Sequence, residues 1–489
     1  MSYGRAMRWL AERDPDADAV VFDAGQQAQV RSRGELERRS NRLARDYQAR
    51  GVGEGDLVTI ALANGIEYFE ACLAVWKLGA TPNPISYRLP ERERQAIVEL
   101  ANPALVVGVE SREYGEVPSL PVGHEPEASL SHEPLPDAVS ANVRAMTSGG
   151  STGRPKIILD TLPALVDPEL AQNRMKVGGS LLAPGPLYHA GPFITSWQAL
   201  LSGGRVILMD RFDAERAIRL IETHRVDWVL FVPTMMQRIW RLDEPTRAAC
   251  DLSSLETVMC TGAPSPAWLK RAWIDWLGGE RIHEAYGGSE RIAGTQISGI
   301  EWLAHPGSVG KPTADRKIRI EDEKGDPCAP GEIGEVFMMP PGGQGSTYRY
   351  IGAEATASHD GWESLGDLGY LDEDGYLYLV DRKTDMIVTG GSNVYPAEVE
   401  AALDSHPAIL SSAVIGLPDD DLGQRIHAIV HAGGEVSESV LCDYLADHLV
   451  RYKIPRSIEF VDEPLRDDAG KVRRSALRDA RLSIPNART

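Results

Sequence analysis

Residues 57–80 read LVTIALANGIEYFEACLAVWKLGA. The opening LVTIALA is an apolar run of strand length, with β-branched Val58, Thr59 and Ile60. YFEACLAVWKLGA, residues 68–80, reads as a helix that Gly79 can close. A strand followed by a helix is the first half of a βαβ unit, so another strand should follow. PALVVGV at 103–109 supplies it, and TPNPISYRLP at 81–90 reads as a turn-rich exit. Upstream, RGELERRSNRLARDYQAR at 33–50 reads as an amphipathic helix, with Leu36, Leu43 and Ala44 on one face. The alternation predicts a parallel sheet.

The same alternation returns between about 180 and 300. RVILMD (205–210) is a strand, AERAIRLIETHR (214–225) a helix, DWVLFVPT (227–234) a strand, and LETVMCTGAP (255–264) a strand ending in a Gly-Ala-Pro turn. Residues 305–352 are rich in Gly and Pro, with short strands KIRIED and GEVFMM, as in a small β-rich subdomain. Beyond residue 381 roughly a hundred residues read as a separate α+β unit. The expected fold class is α/β. A large N-terminal domain, residues 1–382, holds βαβ subdomains and the β-rich subdomain; a small mobile α+β C-terminal domain spans 383–489.

The chain has 489 residues, with 71 acids against 51 bases and a net charge of −20. Such a surface repels nucleic acid and anionic membranes, while a local basic site for a small anion remains possible. The cysteines Cys72, Cys250, Cys260, Cys328 and Cys442 form no C-x-x-C pair. They fit a reducing compartment and argue against structural zinc. MSYGRAMRWLAERDPDADAV has no long apolar run, so no signal peptide is expected. A soluble cytoplasmic protein without membrane insertion is the default. His124 and His132 sit in the aperiodic stretch 110–141; they read as solvated loop residues, with metal ligation the alternative.

TSGGSTGRPK, residues 147–156, gathers hydroxyls, glycines and two cations. Gly-rich backbone lets N–H groups approach a phosphate closely. The run is not a Walker A loop, because no Ser or Thr follows Lys156. Taken alone it could be a flexible surface loop. Further on come YGGSE (286–290), GDLGYLDEDGYLYLVDRKTDMI (366–387), GGSNVYPAEVE (390–400) and DDAGKVRRSALRD (467–479). In this order and at these separations they are similar to the core motifs of the adenylate-forming superfamily, which includes acyl-CoA synthetases, peptide-synthetase adenylation domains and luciferases. The opening SRGELERRSNRLARDYQARGVGEGDLVTIAL also resembles that family, so the likeness covers almost the whole chain.

The resemblance implies an enzyme that joins a carboxylate to ATP, releases pyrophosphate and passes the acyl group to a thiol. Cations and N–H dipoles must then surround the developing charge. Ser148, Ser151, Thr152, Gly153 and Lys156 would hold the β- and γ-phosphates. Ser289 would meet the α-phosphate and Glu290 would hold Mg²⁺. Read alone, Glu290 is a surface acid. Tyr286 would stack on adenine, with Gly262, Ala263 and Pro264 across from it and Glu284 near the adenine amine. Asp367 would take the ribose hydroxyls, and Arg382 would add a ribose or phosphate contact. Relatives usually carry Thr where this chain has Leu365. Lys471 would bridge the attacking carboxylate and the α-phosphate; read alone it is a solvated charge in a basic tail. The small domain would rotate about Thr384, where the family usually has Lys or Asp, and Gly390 and Gly391 would then admit the pantetheine arm of coenzyme A.

PLYHAG, residues 186–191, matches the start of the acyl pocket. Amino-acid-activating relatives carry Asp at the place of His189, so an α-amino acid is not expected; His189 is a pocket gate, a carboxylate neighbour or a wall residue. Pro192, Phe193, Trp197, Thr234, Met235, Met236, Gly287 and Gly288 would form mostly apolar walls. They suit a bulky acid, with polycyclic acids of the bile-acid or terpenoid type weighed against linear or aromatic ones. The chain ends soon after Lys471 with no carrier domain, so a freestanding ligase using coenzyme A is expected first. A ligase loading a carrier protein comes second. The alternative of another class is an inactive nucleotide-binding sensor.

Overall fold

The computed structural model describes residues 1–25, 27–110, 114–149, 155–170, 172–313, 315–467 and 470–482. Leu57–Ile60 lies inside an all-parallel four-stranded sheet, between Thr81–Pro84 and Leu105–Val107, with Ser119–Leu120 beyond. The helix after it, Ile66–Lys77, is buried almost all round because neighbouring elements cover both of its sides. TPNP is not a turn. Thr81–Pro84 is a fully buried strand, and it escapes the usual veto on proline because it lies at the end of its sheet, where an N–H can be spared. The helix Glu91–Ala101 follows before the next strand.

A nine-stranded sheet forms the second block. Its middle strands, Asp18–Asp23, Arg205–Met209, Ser180–Ala183, Trp228–Phe231, Thr257–Cys260 and Ile282–Gly287, run parallel in that spatial order. From Ser180–Ala183 the chain passes first to the strand on one side and next to the strand on the other. The intervening helices Ala190–Leu201 and Ala214–Thr223 pack into different cores, on opposite faces of the sheet. Parallel sheets bind ligands at the carboxyl ends of the strands where the winding reverses. Here that point opens between the Pro184–His189 loop and Val232–Met236.

Antiparallel pieces complete the fold. Ala145–Gly149 and Pro155–Asp160 form a hairpin extended by Tyr348–Ile351. Lys317–Glu321, Gly334–Met339, Thr356–Ala357, Glu363–Leu371 and Leu377–Arg382 form a five-stranded antiparallel sheet that extends past the β-rich stretch 305–352 read from the sequence, of which Tyr348–Ile351 pairs elsewhere. From Ile387 on, a hairpin, a three-stranded mixed sheet and the helices Pro396–Asp404, Glu438–Ala446 and Arg474–Leu482 follow. Val399, Leu403, Val414, Ile426, Leu441 and Leu445 give this part its own apolar core. Among the described residues no helix is long and apolar enough to cross a membrane.

Candidate active site

The site assembles at the switch point from chain ends that the sheet delivers. Thr257–Cys260 and Ile282–Gly287 run side by side, so Gly262-Ala263-Pro264 and Tyr286 emerge at one edge. The Thr261 hydroxyl donates to the Ala285 carbonyl at 2.7 Å and ties the two together, and Gly262 takes φ +92°, which favours glycine. Tyr286 donates its hydroxyl to Asp367 Oδ2 at 2.7 Å. Arg382, opposite Asp367 in register, brings Nε to 3.3 Å from Oδ1. Burial pushes the Asp367 carboxyl up, and Arg382 and Tyr286 pull it back.

The sequence turns at Gly287-Gly288 and places Glu290 in the interior. Tyr350 donates to Glu290 Oε1 at 2.6 Å, and Lys156 Nζ lies 3.7 Å from the same oxygen. Lys156 also sits 3.9 Å above the Tyr350 ring. Burial lowers the Lys156 pKa and Glu290 opposes it. Ser148 pairs through its backbone with Lys156 across the hairpin. Ser151, Thr152 and Gly153 lie outside the described residues.

The hairpin base is pinned to the same turn. Arg144, 1% exposed, brings Nε to 3.4 Å from Asp160 Oδ2 and donates from Nη2 to the Ser289 carbonyl at 3.4 Å. Arg291 closes on Asp160 Oδ2 at 3.2 Å. This network was not foreseen. Its one legible trace is that Arg144 and Asp160 are charges at both ends of apolar strands, where charge must be paired once buried.

His189 is the residue before the helix Ala190–Leu201 and stacks at a tilt on Tyr188. Asn64, unnoticed in the sequence, holds this loop: its amide donates to the Gly185 and Met209 carbonyls at 3.0 and 2.9 Å and accepts from the Leu187 N–H at 2.9 Å. That uses every hydrogen of the amide and clamps the first sheet to the second. Burial, with Lys471 adding to it, lowers the His189 pKa to about 4.

The C-terminal part reaches this crevice through a turn at 467–471. The Asp467 carboxylate accepts from the Lys471 N–H at 2.9 Å, and the Asp467 N–H donates to the Lys471 carbonyl at 3.0 Å. A Cβ on Gly470 would lie 3.3 Å from Thr234 Oγ1 and 3.5 Å from Val232 Cγ2. Burial and the Arg382 charge lower the Lys471 pKa, with Asp467 and Glu290 opposing. Arg466 and Arg474, on either side of the turn, both donate to the buried Glu400 carboxylate, at 3.1 and 2.8 Å. Arg474 also reaches Asp385 at 2.9 Å. Thr384 therefore separates Lys383, paired with Glu335 at 2.8 Å, from Asp385, paired with Arg474.

Some expected site residues go elsewhere. Glu284 is buried against the Lys270 ammonium, so its carboxylate is spent on an ion pair that compensates two buried charges. Phe193 and Trp197 are each 2% exposed and join Phe69 and Trp76 in the core, with Trp197 ring centroids 5.1 and 4.6 Å from those two. Met235 and Met236, 3% and 0% exposed, both join the core on the other face, and a Cβ on Gly185 would lie 3.8 Å from Met235 Cε and 3.1 Å from Pro192 Cγ. Gly288 has a local reason: a Cβ there would stand 2.6 Å from Leu365 Cδ1 and 2.7 Å from Glu290 Oε2. Gly390 and Gly391 form the turn of the hairpin Ile387–Thr389 and Ser392–Val394, both with positive φ, and Gly390 packs on Leu422. His124 is not simply solvated, since its Nε2 is 2.9 Å from Asp46.

The fold is a doubly wound sheet with a crevice at its switch point and a small C-terminal part laid over it. Residues 7–343 match the model of the AMP-binding enzyme family and residues 398–471 that of the AMP-binding enzyme C-terminal domain. The chain belongs to this family, the adenylate-forming superfamily. It is similar to a feruloyl-CoA synthase from Amycolatopsis sp., 34% identical and covering 91% of this chain and 92% of that one. Among solved structures it is similar to o-succinylbenzoate CoA synthetase (MenE) from Bacillus subtilis in complex with its acyl-adenylate intermediate, with TM-score 0.80, 27% identity and coverage of 97% and 98%. ATP-bound MatB from Rhodopseudomonas palustris gives TM-score 0.81 at 26% identity and 99% coverage of both chains.

Proposed function

We propose that the chain is an ATP-dependent acid–thiol ligase that forms an acyl-adenylate and transfers the acyl group to coenzyme A. The observation that carries this reading is the seating of the Lys471 turn on Val232–Thr234, within electrostatic reach of Glu290 and His189. The domain division after residue 382, with Thr384 as pivot, is part of the same proposal. Two similar proteins are named as CoA synthetases, which supports the acceptor. The cytoplasm, with its supply of both nucleotides, is the proposed compartment.

In this reading Tyr286 stacks on adenine, and Asp367 accepts hydrogen bonds from the ribose hydroxyls, held in place by Arg382. Ser289 meets the α-phosphate, while Lys156 and the glycine-rich loop hold the β- and γ-phosphates. Lys471 lies between the acid's carboxylate and the α-phosphate, offsetting the repulsion of two anions. A carboxylate oxygen bonds to phosphorus as the bond to pyrophosphate breaks. The thiol then displaces AMP from the acyl carbon.

Glu290 is the residue that would hold Mg²⁺. No group of three or more carboxylate, His or Cys side chains is built for a metal among the described residues. A lone buried carboxylate fits a cation that takes most of its ligands from phosphate oxygens and water. When bound, Mg²⁺ draws negative charge off the phosphates.

A neutral His189 offers no fixed negative charge to an α-ammonium group, which disfavours amino acids. Met235 and Pro192 make an apolar wall for a bulky acid. Aryl acids come first in a test panel because two similar proteins are named for them, and polycyclic acids come next. The test is acid-stimulated exchange of labelled pyrophosphate into ATP, followed by mass detection of the acyl-CoA. Exchange with no acid of the panel would favour the sensor. Transfer to a carrier-protein phosphopantetheine but not to coenzyme A would move the acceptor.

A further inference from the structure

Tyr350 touches both charged groups assigned above to the cation and the terminal phosphates, yet its position in TYRYIG carries no polar signal in the sequence. It lies on Tyr348–Ile351, opposite Ile158 in the antiparallel pairing with Pro155–Asp160. Lys156, two residues from Ile158, is on the same strand face, a diagonal that an aromatic ring can span. The Tyr348 ring stands edge-on at 4.8 Å and fixes the ring of Tyr350.

We propose that Tyr350 is a positioning residue that divides the labour of Glu290, tying Oε1 to the protein so that Oε2 faces the cation, and parks Lys156 over its ring for the phosphates. This rests on the reading of Glu290 and Lys156 given above. Four distances support it. The phenol donates to Oε1 at 2.6 Å, in the range of charge-assisted bonds. Oε2 lies 2.7 Å from where a Cβ on Gly288 would be, so the glycine leaves this oxygen room. The ammonium stays 3.7 Å from Oε1, beyond a good hydrogen bond, while 3.9 Å from the ring centroid, so it is held without being consumed by the carboxylate.

Two variants separate the functions. Tyr350→Phe removes the hydroxyl and keeps the ring; Tyr350→Leu removes both. Mn²⁺ is titrated into the full-length protein with ATP and followed by electron paramagnetic resonance, and ATP affinity is measured separately without divalent cation. Thermal melts confirm that each variant is folded. Tyr350→Phe should weaken Mn²⁺ binding about tenfold and leave metal-free ATP affinity unchanged. Tyr350→Leu should also lower metal-free ATP affinity, by about threefold. Wild-type Mn²⁺ binding in a folded Tyr350→Phe overturns the role at Glu290. Unchanged ATP affinity in Tyr350→Leu overturns the role at Lys156. Failure of the wild type to exchange pyrophosphate with any acid would count against the ligase reading, while the metal titration would still decide Tyr350.

Discussion

Lys471 is held by its neighbours rather than by its own side chain. The turn fixes its backbone, and Arg466 and Arg474 fix the turn on Glu400. Lys471→Ala should slow acid-dependent pyrophosphate exchange by about 10²–10³-fold, the usual loss of one preorganised transition-state contact. Thioester formation from supplied acyl-adenylate should stay near wild type, and equal loss in both assays would count against the assigned step. Asp367→Asn keeps the shape but gives up charge-assisted bonds to ribose; the KM for ATP should rise about tenfold in the exchange assay. His189 carries a pH dependence. Its pKa of about 4 lies below the ordinary histidine value of 6.5, so between these values the unfolded chain binds the proton more readily than the folded one. Its contribution to stability is full above pH 6.5 and is lost as pH falls toward 4. His189→Gln should therefore flatten the fall in melting temperature across that window relative to wild type. Identical slopes would remove His189 from the effect.

Elements set these residues in place, and they differ in how much of themselves the sequence shows. Apolar runs such as LVTIALA, RVILMD and DWVLFVPT announce their strands because burial on both faces leaves no polar alternation to misread. TPNP hides one, since a proline-rich edge strand has the composition of a turn. Around the crevice, motif residues such as Glu290, Asp367 and Lys471 stand out in the sequence by their charge, whereas the residues that hold them do not. Asn64, Arg144, Tyr350 and Glu400 become meaningful only once distant segments meet. Phe193 and Trp197 show the converse: two aromatics on the pocket's own helix face inward because the helix buries that side in the core. At this scale Arg144→Met should act strongly. Asp160 would keep Arg291 and the Leu162 N–H but lose its buried cation, and breaking a buried ion pair costs about 3–5 kcal/mol. The first denaturant transition should move to lower concentration, and the KM for ATP should rise as the Ser289–Glu290 turn loosens. An unchanged transition would refute the coupling.

On the scale of the whole molecule, polar contacts among the described residues link the two proposed parts. Gln237 Nε2 donates to the Asp404 carbonyl at 3.4 Å, Arg241 donates to the Ile409 carbonyl, and Arg473 lies 3.7 Å from Glu93. Asp381, ahead of Thr384, accepts from the Ala397 N–H at 2.8 Å and so holds the start of the helix Pro396–Asp404. Such contacts suit the rotation proposed above. Arg241→Ala should slow adenylation about threefold and spare thioester formation, since it weakens only the arrangement seen here. Equal slowing of both half-reactions would contradict this.

Thr384 stands alone between two anchored neighbours, Lys383 on Glu335 and Asp385 on Arg474. With the pivot proposed above, a single joint between anchored neighbours would sweep a narrow arc and keep the tip that carries Lys471 near its target. Slack would dilute it: a pair of extra glycines spliced in beside Thr384 lowers the local concentration of that ammonium, and adenylation should slow several-fold in chains that still fold.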